Sequence, residues 1–302
     1  MPPLVFYRDL STSVELKREK RKEMNTTRND IPDWKAPTPK ELQLNRVLLK
    51  RTDGKVHQLL ERLLKDEEVN LYHSYANVVS VRRLGYNDHG PVHARITTYN
   101  ALKILRLLNE GGVQTSLENE HVSTSEASQV AVALGCFLHD TGMGVARDKH
   151  EWHSLNLIDP IIVRYLEWLY PDDLALRVVI RSMAHEVIVG HMAHTRIHSI
   201  EAGVVLVADG TDMTKGRSLI PINLQLDPEV GDMHRYSANT ISKVEIEKGE
   251  MKPVRISIQM DNPTGLFQIE EVLMGKVKAS PIIKHLEIEA CIDGEQPRMY
   301  LK

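Results

Sequence analysis

The stretch "VAVALGCFLHDTGMG", residues 130–144, constrains the fold more than any other. The run Val130–Leu138 carries no charge and reads as a buried helix. It leads straight into two adjacent titratable side chains, His139 and Asp140, and then into a glycine-broken turn. A carboxylate on the end of such a helix is carried into the interior, where an uncompensated charge costs several kcal/mol. The fold must therefore bring compensating groups to Asp140. A second segment makes the same demand: "AGVVLVADGTDM" sets Asp209 directly behind another apolar run.

Histidine usage points the same way. The chain has 14 histidines, and half of them fall between His139 and His198. Each one buried neutral needs partners for both ring nitrogens. On a helical reading the candidates sit near helix ends: His93 in a first turn, His139 and Asp140 closing a buried helix, His150 opening the next, His185 near the end of another, and Asp209 in the last turns of a fifth. Imidazoles mixed with carboxylates suit a divalent transition-metal ion such as Mn, Fe, Ni, Co or Zn. No thiolate pair is available for a structural zinc. Cys136 and Cys291 both lie in apolar runs and read as reduced core thiols of a cytoplasmic protein.

The spacing predicts helices through most of residues 41–220. "GPVHARITTYNALKILRLLNEGG" opens on Pro91 and stops at Gly111-Gly112. Ser123 and Glu126 form a capping box ahead of the His139 helix. Pro160 bends or breaks the following helix, and an Asp cap opens the one after it. Beyond about 221 the period shortens: two strands around a Lys-Gly turn, a helix, a third strand and a short "RMYL" that makes a fourth. The expected fold is mainly α, a helical bundle with a small C-terminal α+β piece of ββαβ type. Its domains are a charged, partly helical extension over 1–70, a metal-binding bundle over 71–222 and a regulatory or oligomerising domain over 235–302.

A net charge of −3 gives no reason to expect a nucleic-acid-binding surface. The run Lys17–Lys22 is interrupted by glutamate and reads as a solvated helix face. The N-terminus lacks the pattern of a signal peptide, and no apolar run is long enough to span a bilayer. A cytoplasmic homo-oligomer, a dimer, is expected.

The ordered set His93, His139-Asp140 and Asp209 resembles the HD-domain superfamily of metal-dependent phosphohydrolases, most nearly its archaeal and bacterial phosphatases and phosphodiesterases. "YNDHGPVHARITTYNALKIL", "LGCFLHDTG" and "VVLVADGTDMTKGR" carry the resemblance, over about 71–220. It implies that His93, His139, Asp140 and Asp209 hold one metal. Two-metal members add two histidines before the last Asp, the first with a small residue four positions on. His150 with Ser154 fits the first and His185 the second, with Asp140 bridging both ions. His153 competes with His150; His191 or His194 competes with His185 or adds to it. His89 lines the entrance, caps the site or binds a third ion. His198, about 16 Å along its helix from Asp209, is too far to share its metal. His57, His73, His121, His234 and His285 read as structural or surface.

The implied reaction is hydrolysis of a nucleotide or other small phosphate ester by a metal-activated water. Asp140 and Asp212 are the carboxylates expected in it, with Asp212 orienting the water. Lys215 and Arg217 are expected to clamp phosphate, Arg217 through its bidentate fork. The alternatives are an HD-type di-iron oxygenase and a nucleotide-sensing binding protein. Since every candidate ligand precedes residue 235, the C-terminal piece is expected to be dispensable for metal binding.

Overall fold

Nine of the 14 residues in the helix Ser125–Leu138, α6, are buried apolar side chains, and this helix organises the rest of the chain. The computed structural model describes residues 34–215 and 233–302. Its helices are α1 (Pro39–Lys50), α2 (Gly54–Leu63), α3 (Glu67–Asn77), α4 (Pro91–Glu110), the short α5 (Ser116–Asn119), α6 (Ser125–Leu138), α7 (His150–Leu169), α8 (Leu174–Gly190) and α9 (Ile200–Thr211). After α10 (Met233–Ala238) come β1 (Ile241–Lys248), β2 (Val254–Met260), α11 (Met274–Ala279), β3 (Leu286–Ile292) and β4 (Arg298–Leu301). The protein is thus mostly helical with a small C-terminal sheet. None of the described helices is long and apolar enough to cross a membrane.

Local chemistry explains the helix boundaries. Pro91 occupies the first turn of α4, where its missing N–H costs nothing. Gly90 has no side chain to cap that helix, and Asp88 does so from two residues upstream: its carboxylate accepts Gly90 N at 3.0 Å and His93 N at 3.1 Å. The expected capping box at α6 is corrected. Thr124, not Ser123, is the cap and accepts Ala127 N at 3.3 Å, while Glu126 is drawn away to Lys55 N at 3.0 Å. Asp173 caps α8 as expected. Helix α7 runs on through Pro160 without a break.

Two apolar clusters hold the described residues from Pro37 onward as one unit. In the first, Leu59, Leu60 and Leu63 of α2 pack with α6, α7 and α8, so the helices before residue 70 share the bundle's core. In the second, Ile104 and Leu108 of α4 and Val204–Ala208 of α9 meet Ile256, Ile258 and Ile288 of the sheet. The sheet order is β1-β2-β3-β4. β1 and β2 pair antiparallel with Ile246 opposite Ile256; β2 and β3 pair parallel with Ile256 opposite Ile288; β4 pairs antiparallel to β3. A parallel pair needs a crossover. Here the crossover carries α11 across the C-terminal half of α9, bringing the C-terminal piece up to the His/Asp cluster.

Candidate metal centre

Three helix ends are built the same way. His139 follows α6 and its Nδ1 donates to Cys136 O at 2.7 Å; His191 follows α8 and donates to Ile188 O at 2.6 Å; His150 opens α7 and donates to Arg147 O at 2.9 Å. Each ring folds back on the carbonyl three residues earlier. Because a carbonyl can only accept, the proton lies on Nδ1 and the Nε2 lone pair points away from the backbone. His93 is fixed by a carboxylate instead, its Nδ1 lying 2.6 Å from Asp212 Oδ2.

The four Nε2 atoms converge on Asp140. Its Oδ2 is 3.3 Å from both His93 Nε2 and His139 Nε2, and Asp209 Oδ1 lies 3.0 Å from His93 Nε2 and 3.8 Å from His139 Nε2. Its Oδ1 is 3.2 Å from His150 Nε2 and 3.4 Å from His191 Nε2, which are 3.0 Å from each other. Asp140 is therefore common to two donor groups, His93–His139–Asp140 and Asp140–His150–His191, all buried.

These residues fit divalent metal ions. Four imidazole Nε2 atoms and three carboxylate oxygens face one another, and all are acceptors once the Nδ1 atoms carry the protons. Asp140 Oδ2 is buried without a hydrogen-bond partner. Metal–ligand bonds of ~2.1 Å subtending 90–109° put neighbouring donors ~3.0–3.4 Å apart, the spacing found around both oxygens of Asp140. The backbone carbonyls and Asp212 on the Nδ1 atoms are the outer partners that orient metal-ligating histidines.

The electrostatics reflect the same crowding. Burial opposes the charge on Asp140, but His139 and the hydrogen bonds of His150 and His191 hold its carboxyl well below the usual range. Burial also opposes that of Asp209, outweighed by Lys276 and by His139 and His93. Burial lowers the basicity of His139, yet Asp140 and Asp209 overturn this and raise it to about 10. Burial and the neighbouring His139 push His191 down to about 3. Without a cation, then, the cluster takes a proton on His139, and that proton cannot serve both groups. Burial lifts the Cys136 thiol to about 12, so it stays a core group and not a thiolate ligand.

The turn between the two donor groups depends on close backbone approach. A Cβ on Gly142 would lie 2.0 Å from His150 O and 2.4 Å from Ser154 N. Ser154, the small residue four positions after His150, accepts Gly142 N at 2.8 Å and donates to His139 O at 2.5 Å. It fastens the start of α7 to the His-Asp turn.

Several expected residues lie elsewhere. His185 is not in the cluster; its Nε2 is 2.8 Å from Asp159 Oδ1, which also receives Arg181, and its side chain is 31% exposed. His191 stands where His185 was expected. His153 is half-buried beside Gly142 and outside both donor groups. His194 is exposed, 3.9 Å from Glu151, and His198 is exposed. Lys215 lies 3.9 Å from Asp261 and does not line the cleft over the cluster. Arg217 lies outside the described residues. Asp212 holds His93. His73 is structural as expected, its Nε2 donating to Phe137 O at 2.7 Å, and burial lowers its pKa to about 3.

One contributor has no counterpart in the sequence reading. The ammonium of Lys276, on α11, pairs with Asp209 Oδ2 and donates to His191 O at 2.9 Å. The C-terminal piece thus touches both donor groups, although it contributes no residue to either of them.

Over 249 residues the chain is 38% identical to an uncharacterized protein, MJ1020, of Methanocaldococcus jannaschii, an alignment covering 82% of this chain and 94% of that one. The chain belongs to that protein's family. No family model matches the sequence, and no solved structure matches it. The helical bundle and its buried His/Asp cluster are compatible with an HD-type fold, and the relationship to the Methanocaldococcus protein extends through nearly all of that protein's length.

Proposed function

We propose that this protein is an HD-type, metal-dependent phosphohydrolase that uses two divalent transition-metal ions to cleave a nucleotide or other small phosphate ester. The observation that carries the reading is Asp140, whose two oxygens face two separate histidine groups while one of them lacks any hydrogen-bond partner. His93, His139, Asp140 and Asp209 would hold one ion, and Asp140, His150 and His191 the other. Bound there, such ions supply an activated water and neutralise phosphoryl oxygens.

The chain's own groups do the rest. Asp212 fixes the ring of His93 through Nδ1, and the carbonyls of Cys136, Arg147 and Ile188 fix the other three imidazoles, so every Nε2 is aimed at the cluster and open to an ion once the proton on His139 has left. Lys276 neutralises the outer oxygen of Asp209. Above the cluster a cleft of roughly 470 Å³ opens between His89, Arg147, the loop after α8 and α11. That volume lies in the range of small-molecule sites.

The test is metal analysis of the purified protein together with a panel of phosphomonoesters and phosphodiesters assayed without oxygen. Hydrolysis that depends on added Mn, Fe, Co, Ni or Zn and disappears in Asp140→Ala is the expected result. A protein loaded with metal that hydrolyses nothing on the panel would refute the reading. Turnover only in oxygen would assign the site to oxygenase chemistry instead.

A further inference from the structure

Arg147 lies between the His-Asp turn and α7. Its carbonyl accepts Nδ1 of His150 at 2.9 Å, so its backbone is in register with a residue of the candidate metal centre. Its side chain lines the cleft over the cluster, half-buried, with the guanidinium carbon 5.5 Å from the centroid of the Tyr86 ring. Nη1 points to the thioether of Met143 at 3.8 Å, a weak acceptor. Among the described residues no carboxylate lies within ion-pair distance of it, although Asp140, Asp209 and Glu271 line the same cleft. Lys276 differs: it spends its charge on Asp209 and on the carbonyl of His191.

We propose that Arg147 is the phosphate-binding residue of this cleft, gripping two phosphoryl oxygens of the substrate through its fork of N–H groups. The inference rests on the phosphohydrolase reading and deepens it. An aromatic face engages the plane of a guanidinium and leaves its N–H edges open, so the contact with Tyr86 sets the fork in place before the anion arrives. A half-buried cation without a carboxylate, next to a site for phosphoryl chemistry, is a ready partner for an anionic ligand. The cleft volume sets the class: a small organic phosphate, of mononucleotide size.

The experiment uses the full-length, metal-loaded protein with inorganic phosphate as the probe, measured by calorimetry, beside metal content and the KM for the best ester found. Arg147→Met keeps the side-chain stem against Tyr86 and removes the charge. It is expected to weaken phosphate binding and raise KM by about tenfold or more, the size of one lost charge-assisted contact, with metal content unchanged. Arg147→Lys restores part of the loss. Phosphate affinity equal to wild type in Arg147→Met overturns the proposal, as does a metal-loaded wild type that binds no phosphate. If phosphate binds and Arg147→Met abolishes it while no ester is hydrolysed, the anion site stands and the phosphohydrolase reading falls.

Discussion

Gly142→Ala tests the architecture of the cluster without touching any candidate ligand. The added methyl would sit 2.0 Å from His150 O and 2.4 Å from Ser154 N, both backbone atoms. Carbon and oxygen need about 3 Å or more, so the first turn of α7 must retreat by ~1 Å. The His150 ring rides on that turn. Its Nε2 would leave Asp140 Oδ1, now 3.2 Å away, by several times the ~0.2 Å that a metal site tolerates. Overpacking of this kind costs about 1–3 kcal/mol, which for a chain of this size lowers Tm by roughly 2–5 °C. Gly142 is not among the glycines with a left-handed backbone, so the whole effect is steric. The assay is a thermal melt with metal analysis. The variant should melt earlier and lose the ion held by His150 and His191. Gly275→Ala, where nothing lies within 4 Å, serves as the stability control and should melt no lower than wild type. A Gly142→Ala protein with wild-type Tm and metal content would show that the close approach of the two backbones does not position the cluster.

Four further outcomes follow from the geometry. His191→Ala should lower metal content while His185→Ala leaves it unchanged, as metal analysis of the two variants will show. Asp212→Asn, which loses the carboxylate on His93 Nδ1, should weaken metal binding by about 10–100-fold in a competitive chelator titration. Lys276→Met strips a half-buried cation from Asp209 and should cost up to about 3 kcal/mol in the metal-free protein, but less when ions occupy the cluster; equal losses of Tm in both forms would refute this. A histidine raised to about 10 from an unfolded value near ~6.5 stabilises the metal-free fold fully below ~6.5, and that contribution fades as pH rises through about 10. Metal must expel the same proton, so calorimetry in buffers of different ionisation enthalpy should find about one proton released per chain between pH 7 and 8.

The His139-Asp140 pair was legible because a carboxylate behind an apolar run is too costly to leave uncompensated, and Asp209 was legible for the same reason. His150 was legible from its spacing to Ser154, whose hydroxyl does tie the turn to α7. The choice of His185 over His191 failed because the distance along a helix does not say which side faces the cluster. His185 faces Asp159 on the neighbouring helix. A signal did exist: "VIVGH" ends an apolar run on histidine just as "CFLH" does, and both rings fold back on the carbonyl three residues earlier. The four strands were legible from their alternation, including the short last one. Lys276 was not legible, since 67 positions separate it from Asp209 and only the parallel crossover brings them together. Asp88 was missed because it stands three residues before the helix it caps, ahead of the usual cap position at Gly90.

The shared core between α4, α9 and the sheet has a consequence for how the chain is made. Every ligand of the candidate centre has been synthesised once Asp212 is added, yet the apolar cluster that α4 and α9 share with the sheet is complete only when β3 exists. About 80 residues separate these events, ~4–16 s of ribosome time at ~5–20 residues per second. During that interval the nascent chain presents a nearly complete histidine–carboxylate shell without Lys276 and beside an uncovered hydrophobic surface. A metal ion captured then would be held by an open, water-accessible site, and the chain would be a client for a chaperone. Closure of the parallel strand pair is the step that ends both exposures at once.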